Sequence, residues 1–85
     1  MSENGGITVT VQYFAVMKEE SGLDEEQATT SASSALELFE ELRARHGFSL
    51  DSSVVKVVLN EEFCDWDHSI AAGDVIVFVP PVAGG

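Results

Sequence analysis

Residues 7–13 read ITVTVQY, in which apolar and polar side chains alternate at every position. A period of two is typical of a half-buried β-strand, so we expect one face of this segment to meet the core. The expected inward residues are Ile7, Val9, Val11 and Tyr13. If the alternation continues one position further, Phe14 lies on the outward face and is a candidate contact residue. If the chain turns there instead, the Phe14 ring folds inward, and the pattern favours neither outcome.

The next stretch predicts a helical turn or loop, a weak strand and then the main helix. Residues 15–23 are too mixed for a strand and end at Gly22, since glycine tolerates a positive φ. Residues 27–31 form the weak second strand. The helix begins at Ser34, where Glu37 completes a capping box, and ends at Gly47. Its apolar stripe, expected to pack on the sheet, consists of Leu36, Phe39 and Leu42 with Ala35 and Leu38 flanking.

The C-terminal half predicts three more strands. Residues 54–59 are rich in β-branched side chains and turn through residues 60–62 into a short strand around Phe63. After a turn at residues 72–74, residues 75–79 are almost entirely apolar, as expected for a strand in the middle of a sheet. Pro80 and Pro81 end that strand because proline donates no ladder hydrogen bond.

This order of elements indicates an α+β fold, with one main helix packed on a mixed sheet of four to five strands. The expected organisation is a flexible arm at residues 1–6, one folded domain at residues 7–79 and an extended tail at residues 80–85.

Charge is the unusual feature of the composition. The 85 residues include 15 Asp and Glu against 4 Lys and Arg, a formal net charge of −11. This charge repels nucleic acid phosphates and anionic lipid, so we expect neither as a partner, and charged partners should be basic. A lone cysteine, Cys64, excludes an internal disulfide. No stretch is long enough for a membrane span and residues 1–6 lack a secretory signal, so the cytoplasm is the expected location.

The folded body offers few side chains for chemistry. Cys64, Asp65, Asp67 and His68 are metal-ligand types, but their spacing matches no zinc or calcium loop, so a polar turn is the expected role. No triad partner accompanies Cys64 or His46, so a nucleophile-base pair is not indicated. The acidic clusters at residues 19–20 and 24–26 are expected to be solvated loop charges, and Trp66 to be partly buried cover for the sheet edge. We therefore expect no bound metal or cofactor.

The C-terminal segment is chemically different. From residue 75 to residue 85 there is no ionisable side chain, although charged residues make up 22% of the chain. The carboxylate of Gly85 is then the only charge on the segment. The tail consists of Pro80, Pro81, Val82, Ala83, Gly84 and Gly85. When extended at roughly 3.3 Å per residue it reaches about 20 Å, long enough to enter the active site of a partner.

A terminal carboxylate has a pKa of about 3.5, so it is ionised at neutral pH and is a poor electrophile. Adenylation by ATP would make it a mixed anhydride, which a sulfur donor can convert into a thiocarboxylate. Covalent tethering would then raise the effective concentration of the sulfur at its acceptor. A frayed end without function is the other reading of the same residues.

Three segments resemble the small subunit of molybdopterin synthase. They are the ending VPPVAGG at residues 79–85, the segment VQYFAVMKEESG at residues 11–22 and the AGD turn at residues 72–74. The similarity spans nearly the whole chain beyond residues 1–6, and the PPxxGG ending is its most specific part. One departure is Lys18, where family members commonly carry Arg. The resemblance implies a ubiquitin-like β-grasp fold with a free C-terminal tail.

The resemblance also implies a function and partners. An E1-like adenylyltransferase would use ATP to adenylate Gly85, and a sulfurtransferase or cysteine desulfurase would supply the sulfur. The large synthase subunit would receive residues 80–84 in a heterotetramer of two small and two large subunits. Sulfur would then pass to cyclic pyranopterin monophosphate in molybdenum cofactor biosynthesis. Phe14, Phe63 and Val79 correspond to an apolar patch that the family uses on both partners.

Three alternative functions stay open at this point. A thiazole-forming sulfur carrier shares the fold and the di-glycine end but usually lacks the double proline. A ubiquitin-like modifier would be joined through Gly85 to lysines of other proteins, and only Lys18 and Lys56 could accept a self-conjugate. An inert binding module would make the tail dispensable.

Overall fold

The computed structural model describes residues 6–81, which form a five-stranded mixed sheet with two helices. The strands are β1 (Ile7–Tyr13), β2 (Glu25–Thr30), β3 (Lys56–Leu59), β4 (Glu62–Cys64) and β5 (Val75–Val79), and the helices are α1 (Ala15–Ser21) and α2 (Ala35–His46). The strand order is β2-β1-β5-β3-β4, with β1 and β5 parallel and the other pairs antiparallel. The α+β prediction and the central position of β5 are confirmed. Within residues 6–81, neither helix has the length and apolar character that crossing a membrane requires.

One face of the sheet packs against α2 to form the core. From β1, Val9, Val11 and Tyr13 are buried as the alternation predicts, whereas Ile7 at the strand's start is only partly buried. From α2 the buried residues are Ala35, Leu38, Phe39 and Leu42. Their spacing of three and four residues makes a single helical stripe. The prediction that Leu36 belongs to that stripe is wrong, because Leu36 lies off it and is 37% exposed.

Both ends of α2 follow the sequence prediction, with one difference at the N-terminus. The Ser34 Oγ accepts a hydrogen bond from the Glu37 N–H at 3.2 Å. The Glu37 carboxylate, however, accepts from the N–H of Ser33 at 2.9 Å, one residue earlier than a capping box places it. At the other end Gly47 adopts a φ of 74°, and its N–H donates to the Arg43 carbonyl at 2.8 Å.

Three element boundaries differ from the sequence prediction. Residues 15–21, where a helical turn or loop was expected, form the helix α1, which buries Met17 and is capped by Gly22 with a φ of 76°. Strand β2 begins earlier than expected, at Glu25. Strand β3 begins only at Lys56, because Val54 belongs to a turn in which its N–H donates to the Asp51 carbonyl at 3.2 Å.

Trp66 is partly buried, as expected, but its ring packs against the core as well as lining the groove at the edge strand β4. Its ring lies 5.0 Å from that of Phe39 on α2 and 5.9 Å from that of Phe78 on the central strand. The indole Nε1–H donates to the Ser52 carbonyl at 3.1 Å. Trp66 therefore closes the core where the long connection after α2 returns to the sheet.

Candidate functional site

The sheet face that points away from α2, here called the open face, contributes no residue to the buried core. It consists of the strand residues that alternate with the buried ones: Thr8, Thr10, Gln12, Glu25, Gln27, Thr29, Lys56, Val58, Phe63, Val75, Val77 and Val79. Its charged members are Glu25, on the edge strand β2, and Lys56. Between them the surface is apolar or neutral, which suits contact with another protein.

Strand register sets the order of side chains across the open face. In one row Gln12 pairs with Val77, Val77 with Val58, and Val58 with Phe63. In the row nearer the end of β5, Val79 pairs with Lys56. An apolar band therefore crosses three strands and reaches the point where the chain leaves the sheet.

A groove of about 500 Å³ lies at the base of the tail. This tail-base groove is lined by Phe14, Ala15, Val16, Glu19, Val79, Pro80 and Pro81. It brings together the end of β5, the first two tail residues and the start of α1. Two of the three predicted patch residues, Phe14 and Val79, thus share one surface.

Phe14 is exposed because of its place between two elements. It follows the last residue of β1 with φ −132° and ψ 153°, still extended, and occupies the N-cap position of α1. Its carbonyl accepts from the N–H of Met17 at 3.1 Å, so the backbone turns into the helix while the ring stays outside. The side chain is 52% exposed, which confirms the outward alternative of the sequence pattern.

Phe63 lies apart from the tail-base groove, on the short edge strand β4. Asn60 and Glu61 reverse the chain with φ values of 50° and 76°, and the hairpin that follows leaves Phe63 72% exposed. Its ring lines a second groove of about 640 Å³, here called the edge groove, whose other residues include Lys56, Cys64 and Trp66. The apolar connection from the third predicted patch residue, Phe63, to Val79 therefore runs through Val58 and Val77.

Among residues 6–81, which include the polar turn after β4, no group of three or more His, Cys, Asp or Glu side chains is placed to hold a metal ion. The Nδ1 of His68 lies 2.8 Å from the Ser69 carbonyl oxygen. Burial, followed by the charges of Asp65 and Asp67, raises the pKa of the Cys64 thiol, so it stays protonated and is a weak nucleophile.

One polar cluster was missed by the sequence analysis. Glu26, expected to be a solvated loop charge, lies on β2 and accepts a short hydrogen bond from the Tyr13 hydroxyl. The same carboxylate lies 2.7 Å from His46 Nε2 and 3.9 Å from Arg45 Nη1. A tyrosine on a core face needs a partner for its hydroxyl, and that requirement was the available signal. The cluster fastens the end of α2 to the sheet.

The Glu26 cluster predicts a pH-dependent part of the stability. Burial raises the pKa of Glu26, but hydrogen bonds from Tyr13 and His46 and the nearby Arg45 charge outweigh it, so the pKa falls below its ordinary value of 4.5. A carboxylate whose pKa is lower in the folded than in the unfolded state stabilises the fold at pH values above its unfolded-state pKa. This stabilisation is lost as the pH falls through the folded-state pKa. Glu26→Gln should therefore cost about 1 to 3 kcal/mol at pH 7.

Urea unfolding at several pH values tests this linkage. The difference between wild type and Glu26→Gln should be largest at neutral pH and shrink toward zero as the pH drops below 4.5, because a protonated carboxyl resembles the amide. A difference that stays constant down to pH values of about 2 would contradict the assigned role of the charge.

The remaining predicted site residues, Val82, Ala83, Gly84 and Gly85, lie outside the described residues, as do residues 1–5 of the predicted arm. For the tail, the structure describes its first two residues, Pro80 and Pro81, at the groove beside Phe14.

Comparison with known proteins relates this surface to a family. A model described as the ThiS family matches residues 11–85. The molybdopterin synthase sulfur carrier subunit of Escherichia coli (strain K12) is 26% identical over 80 residues, which cover 91% of this chain and 99% of that protein.

Two solved structures are similar over nearly their whole length. A chain in the complex of subunits 1 and 2 of molybdopterin-converting factor from Helicobacter pylori 26695 is 30% identical, with a TM-score of 0.63, over 93% of this chain and 100% of that one. SAMP1 from Haloferax volcanii is 24% identical, with a TM-score of 0.76, over 92% of this chain and 99% of that one. At that identity the second similarity concerns the fold alone, which is the ubiquitin-like β-grasp fold.

Proposed function

The chain belongs to the ThiS family, whose model matches it through Gly85, and on this basis we propose that it is the sulfur carrier subunit of a molybdopterin synthase. The relative from Escherichia coli bears that description. In the proposed cycle Gly85 is adenylated, becomes a thiocarboxylate and donates sulfur to cyclic pyranopterin monophosphate in molybdenum cofactor biosynthesis. Because this cycle uses ATP, we assign it to the cytoplasm.

The observation that carries the proposal is the junction between β5 and the tail. Strand β5 is held on both sides, by β1 and by β3, and its Ile76 and Phe78 are fully buried. The residues that follow carry no ionisable side chain before the terminal carboxylate. A rigid central strand thus leads directly into a segment whose one charge is its reactive group, beside an exposed aromatic ring at Phe14.

The chemistry follows from the weakness of a carboxylate as an electrophile. One oxygen of Gly85 attacks the α-phosphorus of ATP, pyrophosphate leaves, and an acyl-adenylate forms on the activating enzyme. A persulfide sulfur on a sulfurtransferase or cysteine desulfurase then displaces AMP to form an acyl disulfide. A thiol reduces the S–S bond, becomes part of a disulfide itself and releases the terminal thiocarboxylate. The thiocarboxylate sulfur attacks a carbon of the pterin precursor and displaces an oxygen substituent there, which forms a thioester. Hydrolysis of that thioester leaves the sulfur on the pterin and returns Gly85 to its acid form. Each carrier supplies one sulfur, so a dithiolene requires two deliveries.

Two classes of partner are required by this cycle. The first is an E1-like adenylyltransferase, which must hold Gly85 next to ATP. The second is the large synthase subunit, and the Helicobacter pylori relative occurs in a complex of subunits 1 and 2 of its converting factor. We propose that both partners contact the open face around Phe14, Val79 and Phe63, and that synthase is a heterotetramer with two tails serving two active sites.

Phe14→Ala tests the proposed partner surface. An exposed aromatic ring that fills a partner pocket is worth about 1 to 2 kcal/mol or more in binding, so the Kd for the cognate large subunit should rise at least about fivefold. Stability should change far less than the about 3 to 5 kcal/mol expected for a buried phenylalanine. Calorimetric titration and urea unfolding measure the two effects separately.

Leu36→Ala is the matched control, because Leu36 is also a large exposed apolar residue but lies on α2. Its Kd should stay within about twofold of wild type, as for a residue outside the interface. Equal losses from the two substitutions, or a stability loss at Phe14 with normal binding, would place the partner surface elsewhere.

The modifier alternative is favoured by one observation, the β-grasp fold shared with SAMP1, a small archaeal modifier protein. In that function the Gly85 acyl group would end in an isopeptide bond to a lysine of a target protein. A thiazole-forming carrier would use the same thiocarboxylate with a different acceptor. The fate of the acyl group separates the first alternative from a sulfur carrier, and the acceptor that consumes the sulfur separates the second.

A further inference from the structure

Lys56 occupies a position on the open face that the apolar patch does not explain. In the sheet register it lies directly beside Val79, the last residue before the tail. Phe14 and Val79 line the tail-base groove on one side, while Lys56 and Phe63 line the edge groove on the other. A lysine therefore flanks the base of the tail opposite an exposed aromatic ring.

The ammonium group of Lys56 has no ion-pair partner within the described part of the chain. The other three cations each have an acidic partner: Lys18 lies 2.6 Å from Asp24, Arg43 3.8 Å from Glu40, and Arg45 3.9 Å from Glu26. Lys56 forms no ion pair with any carboxylate of residues 6–81, although Asp65 lines the same groove. In a chain of net charge −11, a cation that has no ion-pair partner among residues 6–81 lies beside the last residue before the tail.

This arrangement has consequences for a docked partner. Covering the open face would remove Lys56 from water, and an ammonium group is costly to bury unless a counter-charge or hydrogen-bond acceptors meet it. A partner that presents a carboxylate there satisfies the charge, whereas one that presents a cation is repelled. Because the acidic chain as a whole favours basic partners, a carboxylate at this one point would be distinctive and would fix the register of docking.

Resting on the proposed function, we propose that Lys56 is a specificity-determining contact that pairs with an Asp or Glu side chain of the large synthase subunit. The pair lies beside Val79, so it aligns the tail with the partner's active-site entrance. The aliphatic stem of Lys56 continues the apolar band, and only its ammonium end needs the partner's carboxylate.

The test measures binding of the cognate large subunit to Lys56→Met and Lys56→Glu. Methionine keeps the apolar stem and removes the charge, so the Kd should rise about tenfold; glutamate sets two like charges together, so the rise should exceed about a hundredfold. Arg43→Met is the control, since it removes one positive charge from α2 on the other side of the sheet, and its Kd should stay within about twofold of wild type.

Charge reversal on the partner completes the test. Each Asp and Glu at the large subunit's interface is changed to Lys and paired with Lys56→Glu, and one combination should restore binding to within about tenfold of wild type. The inference is overturned if Lys56→Glu binds like wild type, or if no reversed partner restores binding. If the wild-type protein transfers sulfur but substitutions at Lys56 do not change the Kd, the proposed function stands and only the role of Lys56 is wrong. If the wild-type protein does not bind the large subunit, both the proposed function and the role of Lys56 are wrong.

Discussion

Removal of Gly84 and Gly85 should abolish sulfur transfer and leave the free energy of unfolding within about 0.5 kcal/mol of the full chain. The reacting group is the carboxylate of Gly85. Truncation moves the terminal carboxylate to Ala83, two residues short of the position at which a partner's active site would bind it. At an extended length of about 3.3 Å per residue, the new carboxylate falls short by roughly 7 Å. Among residues 6–81 the buried apolar residues run from Val9 to Phe78, and the deletion leaves all of these in place.

Two assays measure the effects of this deletion. Molybdopterin formation in a mixture with the activating enzyme, sulfur donor, large subunit and pterin precursor should fall to background, while thermal unfolding should be unchanged. Deletion of Asn4 and Gly5 is the matched control, because it also removes two residues but lies before the family match at residues 11–85. A truncated protein that still supports molybdopterin formation would show that Gly85 is not the sulfur carrier.

Phe39→Ala should cost about 3 to 5 kcal/mol of stability, the loss typical of a fully buried phenylalanine. The Phe39 ring is 0% exposed and lies 5.0 Å from that of Trp66 and 5.1 Å from that of Phe78. A chain of this size has a total stability of about 4 to 13 kcal/mol, so the variant could be largely unfolded at 37 °C. Chemical unfolding at 25 °C measures the change in the free energy of unfolding, and the Tm of the isolated variant should fall as well.

Phe63→Ala is the matched control, the same substitution at a ring that is 72% exposed on the opposite face of the sheet. It should change stability by less than about 1 kcal/mol and weaken the large subunit's binding instead. Similar stability losses at the two positions would mean that the open face is covered by part of this chain rather than by a partner.

Much of the fold follows from local pattern. The alternation through Tyr13, the run at residues 75–79 and the Ser34 cap each depend on neighbours within a few residues, so their elements were predictable. Errors occurred where tertiary packing decided the outcome. Leu36 is as apolar as Leu38, but the position of the sheet determines which side of α2 is buried.

The candidate site was predictable in part for the same reason. The di-glycine end is visible in the sequence because the absence of charge is a local property, and alternation offers Phe14 as one of two open outcomes. Cross-strand relationships are not local: Lys56 and Val79 are neighbours only because β3 pairs with β5 in one register. The contact of Glu26 with Tyr13 and His46 likewise requires the β1–β2 pairing and the end of α2 at once, so no local pattern could reveal it.

The most direct test of the sulfur-carrier account is the mass of the protein after incubation with its cognate E1-like enzyme, ATP and a sulfur source. A sulfur carrier should gain the mass of one sulfur-for-oxygen exchange, located at Gly85 by fragmentation, and should lose it when the large subunit and pterin precursor are added. A protein that instead shows no thiocarboxylate, and is recovered from cells mainly in isopeptide linkage to lysines of other proteins, would contradict the account.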